Sequence, residues 1–356
     1  MTTTFSPLLR PLSLAEILDQ ALRLYRNNFL KFIGILAIPY IPLIILQTGM
    51  SYLMTSSLLD FDPISPQYDP YSSPMFSASY WLGLLGTFGA AVLQFIFVQG
   101  VATAALTRAV ADNYVGKPTD ILSAYRSLGS AWWRLLLALL LALLVALVLF
   151  VWAVIPCVGW ISGPGMLLFL FVIVMPLIAP VIVLEKHGAL DSIQRAWNLS
   201  RIRFWWMVGF VVVLYIFGQI VVSGPTALAT FLLQILALNG PPVLSSPLTA
   251  AVIQGFVTMI FSLVYLPLQL TAMTVVYFDL RIRSEGLDLA LQTTQQPAEA
   301  GSAVSLPEIT AAPQGSIITW TEVAYFVLIS VGFVVLYFLL VGVLMVLMMG
   351  LLAPAL

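Results

Sequence analysis

The chain has 356 residues, of which 61% are hydrophobic and 8% charged, where a soluble globular domain carries about 45–50% and about 25%. A mean hydropathy of +1.04 excludes a soluble fold, and a net charge of −1 offers no basic surface for nucleic acid. The single cysteine, Cys157, excludes an internal disulfide framework.

In chain order, Met1 to Pro11 lacks the charged, apolar, small-residue sequence of a cleaved signal, so the chain is expected to keep its start. Ser13 with Glu16 forms a capping box that predicts a helix start. Behind it, Leu14, Ile17, Leu18, Ala21, Tyr25 and Phe29 fall at helical spacing, with Glu16, Asp19, Arg23 and Arg26 opposite. This first amphipathic helix leads into an apolar span over about residues 29–53, interrupted by Pro39 and Pro42. A loop with Asp60, Asp62, Asp69 and four prolines follows; without a turn glycine it reads as a stiff acidic loop rather than a calcium site. A second span covers about 80–107, and a second amphipathic stretch places Ile121, Leu122, Tyr125, Leu128 and Trp132 on one face.

A third span is expected over about 134–155, a connection over 156–164, a short outer turn at Gly163-Pro164-Gly165, and a fourth span over about 165–184 with Pro176 and Pro180. A third amphipathic stretch carries Leu190, Ile193, Ala196, Trp197 and Phe204 on one face, and a fifth span runs over about 204–223. Ser223-Gly224-Pro225 then reads as an outer turn, and the 13 residues 226–238 as an interfacial or re-entrant segment too short to cross. The sixth span covers about 249–278 with Pro267. Residues 291–315, rich in Pro, Ala, Thr and Gln, read as a flexible linker. The seventh span, about 317–352, carries Glu322 near its start, where snorkelling to the interface is expected.

All 14 Lys and Arg precede span one, lie between spans two and three or four and five, or follow span six; the connections 54–79, 156–164 and 224–248 hold none. The positive-inside rule therefore predicts a cytoplasmic N-terminus and a C-terminus outside. Aligned without gaps, the amphipathic stretches superpose Glu16, Asp120 and Asp191, then Leu24, Leu128 and Leu199. The expected fold is thus an all-α polytopic membrane protein: a six-span core of three amphipathic-helix-plus-hairpin repeats, residues 1–292, then a linker 293–316 and an additional C-terminal span 317–356. Each amphipathic helix reads as an elbow that starts a hairpin, with Trp132, Trp133, Trp205 and Trp206 as interface anchors, as part of a basic collar that binds a partner or anionic lipid, or as both.

Chemistry is sparse. His187 is the sole histidine and sits in a polar turn beside Glu185 and Lys186, which excludes paired-histidine zinc sites, and Cys157 alone completes no thiolate cluster. Neither a catalytic set nor a cofactor site is expected. Gln94, Gln99, Gln219, Gln254 and Gln269, with the span prolines, are the features that would suit a pocket, although helix-helix hydrogen bonding is their ordinary role.

Three stretches, 13–35, 183–210 and 277–291, resemble the bacterial family described as the membrane domain of glycerophosphoryl diester phosphodiesterase, most specifically in the Asp279–Asp288 run and then in Glu185–Trp197. The resemblance covers about residues 10–292 and implies a six-span membrane domain in a bacterial cytoplasmic membrane. A phosphodiesterase of that kind uses a separate barrel of roughly 250 residues, for which the sequence leaves no room, so no enzyme activity is expected. The leading expectation is a scaffold or accessory subunit of the bilayer, binding a membrane-protein partner or anionic phospholipid, and not nucleic acid. Its candidate surface is Arg23, Arg26, Arg126, Arg195, Arg201, Arg203, Asp279, Arg281, Arg283 and Glu285. The alternative is a lipid or small-solute transporter with a Pro-kinked, Gln-lined bundle.

Overall fold

The computed structural model describes residues 11–59, 77–117, 119–156, 158–185, 187–239, 246–286 and 318–352. Seven helical stretches among them are long and apolar enough to cross a bilayer, so the chain is a multi-pass membrane protein. The helices are α1 (Leu14–Asn27), α2 (Phe29–Leu59), α3 (Ala78–Gln94), α4 (Thr103–Tyr114), α5 (Ile121–Arg126), α6 (Ala131–Val154) and α7 (Val158–Leu168). They continue as α8 (Met175–Glu185), α9 (Ala189–Arg201), α10 (Phe204–Gly218), α11 (Gly224–Asn239), α12 (Pro247–Glu285) and α13 (Trp320–Leu352). Three π-helical segments fuse neighbours: Phe95–Ala102 between α3 and α4, Phe169–Val174 between α7 and α8, and Gln219–Ser223 between α10 and α11. Cys157, Lys186, the acidic loop from Asp60 to Asp69 and the linker lie outside the described residues.

Two expected turns are helical instead. Gly163-Pro164-Gly165 sits inside α7, so the fourth span begins at Val158 rather than near 165. Ser223-Gly224-Pro225 does not turn the chain, and residues 226–238 are not a separate short segment: the fifth span runs unbroken from Phe204 to Leu236. In hydrocarbon a freed backbone group has no water to turn to, so continuing the helix and repairing it locally is the cheaper solution. The repair is visible. Pro225 lacks an N–H, a π turn precedes it, and Thr226 Oγ1 donates to Val222 O at 2.8 Å. Similarly Thr103 Oγ1 donates to Val98 O at 2.9 Å where the first π segment ends.

The three short helices that precede spans one, three and five, called elbows below, are unequal. In α1 the capping box forms, Ser13 Oγ accepting from the Glu16 N–H while Glu16 accepts from the Ser13 N–H at 2.8 Å. Glu16 and Asp191 both occupy the third helical position, whereas Asp120 is the N-cap of α5, which has only six residues. Leu122 and Leu190, expected on inner faces, are exposed, because α5 and α9 turn other residues inward: Ala124 in the first and Ser192, Ala196 and Leu199 in the second.

Packing is concentrated at the elbow end. There α1 lies on α12, and α4, α8, α9 and α12 enclose a core around Tyr114, Phe169, Ile178, Val276 and Tyr277. Tyrosine hydroxyls pin the layers: Tyr25 donates to Val264 O at 2.8 Å, Tyr125 to Ile35 O at 2.5 Å and Tyr265 to Leu214 O at 2.6 Å. Elsewhere α2 packs against α3 and α12, α12 against α11, and α7 against α6 and α13. Large side chains such as Leu144, Val148, Phe231 and Phe256 stand exposed on these helices, as hydrocarbon permits.

Candidate functional site

The two stretches that carry the resemblance most specifically meet in one buried ionic junction at the elbow end. Glu185 closes α8, Arg195 lies on α9, and Arg281 and Glu285 lie one turn apart on the last turns of α12. Arg195 Nε donates to Glu185 Oε2 at 3.1 Å, and its Nη2 pairs with Glu285 Oε1. Arg281 Nε donates to Glu285 Oε2 at 2.9 Å and stands 3.8 Å from Glu185 Oε1. Tyr277 Oη donates to Glu185 Oε1 at 2.6 Å and accepts from Arg281 Nη1 at 3.3 Å. The four charged side chains are only 3–12% exposed. Two carboxylates and two guanidiniums balance, which is how buried charge is tolerated, and removing one partner of such a set typically costs about 3–5 kcal/mol. His187, 43% exposed, adds its Nε2 to Glu185 Oε2 at 3.1 Å, and Arg134 Nη1 reaches the His187 carbonyl at 3.3 Å. The junction thus ties spans three, four and six to the third elbow.

A second cluster captures the beginning of the described chain. The fully buried Asp279 carboxylate accepts from the Leu12 N–H at 2.8 Å and from Arg283 Nε at 2.9 Å, and Arg203 Nη1 lies 4.0 Å away. Arg283 Nη2 donates to the Leu12 carbonyl at 2.6 Å, so one Asp and one Arg satisfy both backbone groups of a single residue. Arg203 also lies 4.6 Å over the Trp206 ring.

A third cluster docks α13. Glu322 is buried, not snorkelled: it pairs with Arg201 and accepts from the Thr319 N–H at 2.8 Å, capping the helix it opens. One turn on, the fully buried Phe326 packs among Phe169, Trp197 and Phe204. A further turn on, Ser330 Oγ accepts from the Gly165 N–H at 2.7 Å. An acid, an aromatic ring and a hydroxyl at i, i+4 and i+8 therefore make one stripe that faces α7, α9 and α10.

Of the ten candidate residues, Arg195, Arg281 and Glu285 share the first cluster, Arg203, Asp279 and Arg283 the second, and Arg201 enters the third. Arg23 pairs with Asp19 on an exposed helix face at 2.9 Å, while Arg26 and Arg126 are exposed and have no ion-pair partner among the described residues. Lys31 and Lys117 share that state. Sequence reasoning missed Glu185, Tyr277 and Glu322 as members; the one available signal was the i, i+4 spacing of Arg281 and Glu285. Outside the spans, burial pushes the Tyr25 and Tyr125 hydroxyls up to about 12.

The chemistry of the junction is cohesive. Both Glu185 oxygens accept hydrogen bonds, Oε2 from Arg195 and His187 and Oε1 from Tyr277. Among the described residues no group of three or more His, Cys, Asp or Glu side chains could hold a metal. Gln99, Gln219 and Gln254 are exposed, and Gln219 accepts from Ser223 of its own helix at 2.7 Å.

Residues 157–306 match the family model described as the membrane domain of glycerophosphoryl diester phosphodiesterase. The matched region contains Glu185, His187, Arg195, Tyr277, Arg281 and Glu285 of the first cluster but not Arg134, contains Arg203, Asp279 and Arg283 of the second but not Leu12, and stops before α13. No curated protein and no solved structure matches the chain.

Proposed function

We propose that this multi-pass protein is a non-enzymatic scaffold or accessory subunit of the bacterial cytoplasmic membrane. Its three elbow-and-hairpin units stand as repeats with the elbows at the cytoplasmic face, the N-terminus inside and the C-terminus outside, and the elbows present a basic collar to a protein partner or to anionic lipid. The observation that carries this reading is the division of labour among cations. Arg195, Arg201, Arg281 and Arg283 are consumed by internal ion pairs, whereas Arg26, Lys31, Lys117 and Arg126 remain exposed at the same end without a partner among the described residues. Each such cation near an anionic leaflet is worth about 1 kcal/mol.

Two measurements test it. Cysteine placed at Arg126 in a cysteine-free background should resist a membrane-impermeant thiol reagent in intact cells and react once the membrane is opened; labelling in intact cells overturns the orientation. Replacing Arg26, Lys31, Lys117 and Arg126 together by Gln should reduce retention of anionic lipid and of co-purifying membrane proteins in mild detergent, without lowering the melting temperature. Unchanged retention overturns the collar.

A further inference from the structure

Beside the second elbow the surface carries a shallow, open groove of about 530 Å³. Its apolar wall is Ile96, Phe97 and Val101 from the π segment of span two, facing Trp132 of α6, and its rim is Tyr125 and Arg126 of α5. The groove is held open by bonded structure. A π turn carries an extra residue and bulges the helix; the Val98 carbonyl at this one is taken by Thr103, and α5 is pinned to α2 through the Tyr125 hydroxyl bond to Ile35. Among the described residues no acidic one lines the groove, and Arg126 on its rim is exposed with no ion-pair partner among them.

We propose that this groove seats one phospholipid with a net-negative headgroup, its phosphate on the Arg126 guanidinium and an acyl chain along Ile96, Phe97 and Trp132. The groove lies where a membrane-spanning helix meets an interfacial elbow, and Trp132 and Trp133 mark that depth as the boundary between headgroups and hydrocarbon. A soluble peptide would have to leave water to enter it. A lipid already has its charge and its chain at the two levels the groove provides, and a guanidinium matches a phosphate in charge and in hydrogen-bonding geometry. The inference rests on the reading that the collar engages anionic lipid, and deepens it from a diffuse attraction to one defined seat.

The test is native mass spectrometry of the full chain in mild detergent, titrated with phosphatidylglycerol, with phosphatidylcholine, and with phosphatidylglycerol in the presence of inorganic phosphate. One phosphatidylglycerol is expected to bind ahead of any phosphatidylcholine and to survive added phosphate. Arg126→Gln should weaken that first step about fivefold, the effect of one interfacial cation. Ile96→Trp, which fills the apolar wall, should abolish it, and both variants should melt as the unsubstituted protein does without lipid. If both variants bind the first phosphatidylglycerol normally while neutralising Arg26, Lys31 and Lys117 reduces binding, the groove is refuted and the collar stands. No preference for phosphatidylglycerol over phosphatidylcholine in the unsubstituted protein refutes both. Displacement by inorganic phosphate alone refutes the lipid seat in favour of a free-anion site.

Discussion

Substituting Gly165 by alanine should release α13 from the body. A Cβ built on Gly165 falls 2.0 Å from the Phe326 carbonyl oxygen and 2.8 Å from its carbon, where ordinary contact begins near 3.4 Å. Both partners are helix backbone, so no rotamer change relieves the clash and α13 must retreat by more than an ångström. The 2.7 Å bond from the Gly165 N–H to Ser330 then stretches past hydrogen-bonding range, a loss of about 1 kcal/mol. A gap of ~1 Å forfeits a quarter to a half of each dispersion contact around Phe326, about 1–2 kcal/mol more. Between helices in lipid no hydrophobic term compensates, because the tails are as apolar as the side chains. With some weakening of the Arg201–Glu322 pair one turn away, the sum is about 2–4 kcal/mol, or a roughly 30- to 700-fold weaker docking. The assay inserts a protease site between residues 293 and 316, cuts the folded protein in mild detergent, and measures how much of the C-terminal piece stays with the tagged remainder. Gly332→Ala is the control on α13 itself: nothing lies within 4 Å of that Cβ, so it should hold or gain a few tenths of a kcal/mol from helix propensity. If Gly165→Ala retains α13 as well as Gly332→Ala does, the close-approach argument is refuted.

The same retention assay should show Glu322→Gln releasing α13, because Arg201 is left buried opposite a neutral amide, at a cost of about 3 kcal/mol; Arg201→Met with Glu322→Leu should recover most of the loss. Asp279→Ala strands both the Leu12 N–H and Arg283, so amide exchange over Leu12–Leu18 should accelerate at least tenfold while α12 keeps its protection. At high pH the raised hydroxyl pKa values of Tyr25 and Tyr125 set the sign. The folded state holds the proton more tightly, so stability is complete below the free-tyrosine value near 10 and is lost as pH rises through about 12. Tyr25→Phe should melt lower at neutral pH, having lost its bond to Val264, but show a shallower decline in melting temperature across that window.

The sequence made the spans legible because hydrocarbon imposes one rule, twenty apolar residues in a row, and made Ser13 legible as a cap because its partner lies three residues away. Glu185 and Arg281 were not legible as neighbours, being 96 residues apart on spans whose packing order no local pattern encodes. Arg201 and Glu322 are 121 residues apart across the linker and follow the same logic. Gly163-Pro164-Gly165 misled for a different reason: in water the triplet punctuates a chain, but in a bilayer the backbone stays helical and the glycine supplies closeness, so the same residues carry the opposite meaning. Residues 226–238 misled likewise, since their length was judged from Pro225, and a π turn absorbed that proline.

The grip of Asp279 and Arg283 on Leu12 has a consequence for biogenesis. The two sides of that clasp are separated by 267 residues, and a ribosome adding about 5–20 residues per second needs roughly ten seconds to a minute to span the interval. Throughout that time the first five spans are made while Leu12 waits unclasped. Closure belongs to the emergence of the sixth span, so a chain whose synthesis stalls before Asp279 leaves both backbone groups of Leu12 without the partners that satisfy them in the finished fold.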